Sequence, residues 1–67
     1  MKFIKQVAQK PTYELEGESG NTIIKVDLNK DKDQQVFFAG AFLTIKDFEQ
    51  LPERINEFFK MIEDDNE

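Results

Sequence analysis

The sequence predicts an α+β fold in which a four-stranded antiparallel sheet is followed by one C-terminal amphipathic helix, in the order ββββα. A single domain is expected over residues 1–63, with 64–67 as a disordered acidic tail. Three observations predict it. Through the first part of the chain apolar and polar residues alternate, with breaks rich in Gly, Pro and Asn, which is the pattern of half-buried strands. After Thr44 the apolar residues Phe48, Leu51, Ile55, Phe58 or Phe59 and Ile62 recur every three or four positions, the period of a helix with one buried face. Seven Phe and one Tyr among 67 residues supply more aromatic surface than a disordered acidic chain carries.

The elements follow in order. Segment 2–8 offers Phe3, Lys5 and Val7 on one side and Ile4, Gln6 and Ala8 on the other, a strand with mixed faces, and Lys10-Pro11 ends it. In 12–16, Tyr13 and Leu15 point inward while Thr12, Glu14 and Glu16 face water. Gly17-Glu18-Ser19-Gly20-Asn21 has the residues that accept the positive φ angles of a hairpin loop. Segment 22–28 places Ile24, Val26 and Leu28 on one face against Ile23, Lys25 and Asp27. The polar stretch Asn29–Asp33 reads as a second hairpin loop. Asp27, Asn29, Asp31 and Asp33 recur at every second position, but the glycine and distal Glu of a calcium loop are missing, and no metal is expected. Segment 35–43 is apolar on both faces and predicts a strand covered on both sides. Val36, Phe38 and Phe42 fall on one face and Phe37, Ala39, Ala41 and Leu43 on the other, with Gly40 marking a bend or bulge. Thr44 with Asp47 approximates a capping box, and Pro52 predicts a kink or a restart of the helix.

A chain this short buries a small core, and small domains gain extra stability from disulfides, metals or self-association. With no Cys and no His, the first two routes are closed for the usual ligands and a homodimer is expected. Its interface should use Phe42, from a strand face in need of cover, and Phe58 and Phe59, one of which lies off the narrow helical core stripe. The same absence removes Cys and His nucleophiles, His general bases and a Ser-His-Asp triad. Glu14 and Glu16 alternate on an exposed strand face without a perturbing partner, and Gly17 and Gly20 sit in a hairpin and precede no helix. No enzymatic activity, small-molecule substrate or cofactor is expected. No apolar run approaches the roughly 20 residues of a membrane span, and the Met1–Lys5 start turns polar too quickly for a signal peptide, which predicts a cytoplasmic protein without membrane contact.

Charge is unevenly placed. Residues 1–46 carry seven Lys and six acids, whereas 47–67 carry one Lys, one Arg and eight acids. The acidity therefore belongs to the helix and tail. Lys2, Lys5, Lys10, Lys25, Lys30 and Lys32 all fall on predicted strands or their loops, where cations can reward phosphates through counterion release.

The spacing Gly40, Leu43, Thr44, Phe48, Leu51, preceded by Val26-Asp27-Leu28 and the polar loop through Asp33, resembles the single-stranded-DNA-binding domain of the positive-cofactor-four transcriptional coactivators, a family with small bacterial and phage members. The resemblance covers about residues 23–55. It implies a curved four-stranded sheet with a C-terminal helix, a dimer joined through helices and strand edges, and single strands held on the sheet by Lys and aromatic contacts. By position it points to Lys25, Lys30, Lys32 and Phe37; Lys5 on the first strand joins them as a further cation. Gln34-Gln35-Val36 stands where the family is basic, and Pro52 falls in a helix that is normally continuous. The competing expectation is a protein partner: acidic residues of the helix, Glu49, Glu53 and Glu57 with Asp47, Glu63, Asp64 and Asp65, would mimic DNA phosphates in the basic cleft of a DNA-processing enzyme, as small phage-encoded inhibitors do.

Overall fold

The computed structural model describes residues 1–67. Strands β1 (Lys2–Ala8), β2 (Lys10–Glu16), β3 (Thr22–Asp27) and β4 (Val36–Phe38) form one antiparallel sheet in the order β1-β2-β3-β4, and helix α1 (Ile45–Asp65) packs on one face of it. The ββββα order expected from the alternation is the observed fold.

β1 and β2 pair along their full length, from Lys2 opposite Glu16 to Ala8 opposite Lys10. Only Gln9 separates them, and it turns the chain with a positive φ of 67°. Pro11 therefore lies inside β2 and does not end the first strand. The Asn29 side chain bridges back to this turn, accepting from the Lys10 amide at 2.9 Å and donating to the Lys10 carbonyl at 2.8 Å.

Period-two alternation places Tyr13 and Leu15 of β2 under the helix, both completely buried. β3 breaks the pattern. Register shifts between Leu15 and Glu16, so Leu15 faces Ile24 while Glu16 faces Thr22, and Ile23 is the extra residue. Such a bulge turns two neighbouring side chains to one side. Ile23 and Ile24 are accordingly both buried, a correction to their expected opposite faces.

The helix begins as the sequence predicts. Thr44 is its N-cap and its hydroxyl accepts from the Asp47 amide at 3.0 Å. The Asp47 carboxylate closes no box with Thr44. It is buried, 2% exposed, and accepts from the Glu18 amide at 3.0 Å, tying the helix start to the β2–β3 loop. The helix runs unbroken across Pro52 with no restart; Pro52 leaves the Phe48 carbonyl without its amide donor. Leu51, Ile55, Phe58 and Ile62 face the sheet, with Phe58 wholly buried and its ring 5.8 Å from Phe3 and 5.5 Å from Phe59.

The expected strand 35–43 is much shorter. Only Val36–Phe38 pair with β3; the chain then leaves the sheet in an irregular connector in which Gly40 takes φ 62°. The expected disordered tail is also corrected: Asp64 and Asp65 complete the helix, and Asn66 caps it by donating from its side chain to the Ile62 carbonyl and the Tyr13 hydroxyl. No helix is long and apolar enough to cross a membrane.

Candidate binding surface

One face of the sheet carries the helix and the other is open. Strand register assigns the residues: Ile4, Glu14, Lys25 and Phe37 form one row across all four strands on the open face, flanked by Gln6, Thr12 and Asp27 on one side and by Lys2, Glu16 and Thr22 on the other. Lys25 and Phe37, two of the residues singled out from the sequence, are thus direct cross-strand neighbours. Phe37 is 64% exposed, an aromatic ring presented to solvent beside a cation.

Two of the three carboxylates on this face are engaged locally. Glu14 accepts from the Thr22 hydroxyl at 3.1 Å. Asp27 accepts from both the backbone amide and the side chain of Asn29, and these bonds, with Lys30 and Lys25 nearby, hold its carboxyl below the usual range. Lys25, Lys30 and Lys32 take part in neither of the two ion pairs of the molecule. Lys30 and Lys32 lie in the exposed β3–β4 loop, which joins the two strands that carry Lys25 and Phe37.

Lys5 does not belong with them. Its register partner is Tyr13, so it projects on the helix side, where Nζ lies 2.6 Å from the Asp65 carboxylate and 5.8 Å from the centre of the Tyr13 ring. The Tyr13 hydroxyl donates to the same carboxylate oxygen. Hydrogen bonds from Lys5 and then Tyr13 hold Asp65 below the usual carboxylate range, and the bond to Asp65 raises Lys5. Burial, followed by its own hydrogen bond to Asp65, pushes Tyr13 up. This cluster fastens the end of α1 to β1 and β2. Period-two alternation already put Lys5 on the side opposite Ile4, but which side the helix covers is settled by Tyr13 and Leu15 through pairing, a long-range fact.

Glu49, Glu53 and Glu57 follow at intervals of four and are all exposed along one stripe of the helix, with Glu57 paired to Arg54 at 2.8 Å. Asp47 and Asp65, which the acidic-surface reading includes, are occupied by the contacts already described.

Phe58 is part of the chain's own core and is unavailable to a partner, and Phe59 is half-buried against it. Phe42, by contrast, is 96% exposed. It lines an apolar groove of about 420 Å³ with Phe38, Leu43, Ile45, Phe48 and Leu51. Phe48, expected in the core stripe, is open to solvent here because β4 ends at Phe38 and leaves no sheet beneath the first turn of the helix. The groove was not legible as such, since the length of β4 decides whether these rings are covered.

Compared with family models, with curated proteins and with solved structures, the chain matches none of them.

Proposed function

We propose that the chain is a non-enzymatic binding protein that holds single-stranded nucleic acid on the open face of its sheet. The observation that carries this reading is the exposed Phe37 ring beside Lys25 on a face without cover, with the unpaired Lys30 and Lys32 in the adjoining loop. Aromatic rings stack on bases without regard to sequence, and cations along the same track attract the phosphates. The resemblance of residues 23–55 to the coactivator domain supports it. The net charge of −5 is compatible with such binding because the excess acids sit on the helix, across the sheet from the open face.

Binding is expected to be weak and steeply salt-dependent. Fluorescence anisotropy of a labelled single-stranded oligonucleotide, titrated at low and moderate salt with duplex as competitor, tests it. The Lys25→Glu, Lys32→Glu double variant should lose binding while keeping its thermal midpoint. Unchanged affinity in that variant removes the open face as the site.

A second reading rests on the aligned carboxylates of Glu49, Glu53 and Glu57, which would engage the basic cleft of a DNA-processing protein. Charge reversal at Glu53 and Glu57 would then release the protein partner and leave oligonucleotide binding unaltered.

A further inference from the structure

The geometry points to β4 as a homodimer interface in which two copies pair antiparallel about a two-fold axis at Phe37, joining two four-stranded sheets into one of eight strands. The inference rests on the backbone of the edge and on the side chains around it, and it holds whether or not the open face binds nucleic acid.

The backbone pattern comes first. The Asp27 amide donates to Gln35 at 2.8 Å and the Ala39 amide donates to Ile23 at 2.8 Å. In an antiparallel ladder bonded and unbonded residues alternate, so Gln35, Phe37 and Ala39 turn their amides and carbonyls toward β3. Val36 and Phe38 turn theirs outward, with no strand beyond them. These two residues are placed symmetrically about Phe37. Pairing Val36 with Phe38 of a second copy, and Phe38 with its Val36, satisfies all four outward groups on each chain and sets Phe37 opposite its counterpart.

The two edges of the sheet differ in what protects them. β1 carries Lys2 and Lys5, the usual way of discouraging edge pairing. β4 carries none, and the chain is uncharged from Gln34 through Ile45. A partner of unlike sequence would need only a strand, but a second copy also matches the side chains. On the helix side of this edge Val36, Phe38, Phe42, Ile45 and Phe48 are each more than half exposed and together show solvent on the order of 700 Å² of apolar surface. That exceeds the largest patch of an ordinary monomer, about 300–600 Å², and approaches the roughly 800 Å² per partner of a stable interface. The uncharged edge also brings two acidic chains together without apposing their carboxylates.

Disulfide trapping tests the arrangement. The chain contains no cysteine, so single Phe37→Cys, Lys25→Cys and Glu57→Cys variants each carry one thiol. Facing residues of an unbonded antiparallel pair have Cα atoms about 4.5 Å apart, within disulfide reach. Two Lys25 residues in the proposed dimer are separated by three strand spacings, roughly 14 Å, beyond it. Mild oxidation should convert Phe37→Cys to a covalent dimer at least tenfold faster than either other variant, and the wild-type chain should show twice its 7.9 kDa mass by light scattering. A wild-type monomer at millimolar concentration, or equal cross-linking rates in the three variants, overturns the proposal.

Discussion

On the β1–β2 side of the molecule the helix lies against the sheet, Tyr13, Leu15 and Phe58 are sealed from solvent, and Lys5, Tyr13 and Asp65 lock the helix end in place. On the β4 side the strand is three residues long, its connector is irregular, and the rings of Phe37, Phe38, Phe42 and Phe48 stand in solvent. Both regions are rich in apolar residues. The difference lies in whether the helix passes over them: α1 is tied to the β2–β3 loop at its start and to β1 and β2 at its end, which fixes its course away from β4. One region holds the fold together, and the other leaves its apolar surface in solvent.

The largest effect should come from setting a ring of each region against the other. Phe58→Ala removes a fully buried ring and should cost about 3–5 kcal/mol, enough to unfold a domain of this size. Phe42→Ala should change stability by no more than about 0.5 kcal/mol when urea denaturation is followed at a dilution that keeps the chain monomeric. Similar losses in the two variants would break the comparison.

Pro52→Ala acts on the course of the helix and has the opposite sign. It supplies the amide that the Phe48 carbonyl lacks, and stability should rise by about 2 kcal/mol after allowing for the freer unfolded chain. Asp47→Ala should cost about 1–3 kcal/mol, because the part-buried hydrogen bond from the Glu18 amide to the buried Asp47 carboxylate is lost. Thermal unfolding of each variant checks both values.

The helix-end lock gives a pH signature. Asp65 is lowered, so its contribution is present above the ordinary carboxylate pKa and is lost as pH falls through the depressed folded value. Lys5 and Tyr13 are raised, so their contributions are full below their ordinary values and are lost as pH climbs through the raised ones. The wild-type thermal midpoint should therefore drop at both extremes, below about pH 4 and above about pH 10. Asp65→Asn should reduce the alkaline drop to the part due to Tyr13 burial and weaken the acid one to the part due to Asp27. An unaltered alkaline drop in that variant would show that the lock does not contribute.

How much of this was legible from the chain depended on whether a feature was local. The alternation at 12–16 identified Tyr13 and Leu15 as core, and Thr44 identified the helix start, because both signals are set by near neighbours. Ile23 was misplaced because a bulge depends on the partner strand. The length of β4 was overestimated because apolar residues at 39–43 look the same whether they pair or line a groove. Lys5 and Asp65 are sixty residues apart in sequence, so neither the loss of Lys5 from the open face nor the order of the C-terminal residues had any local sign. Of the candidate surface, Lys25 and Phe37 were each marked from the sequence, but their adjacency required the β3–β4 register.

The most direct test of the account is a map, by amide chemical shifts, of what a single-stranded oligonucleotide touches. Titrated at low salt, it should move the signals of Lys25, Phe37 and the loop from Lys30 to Lys32, and leave Glu53 and Glu57 on the far side of the helix in place. Shifts centred on the helix stripe, or no shifts at all, would contradict the assignment of the open sheet face as the binding surface.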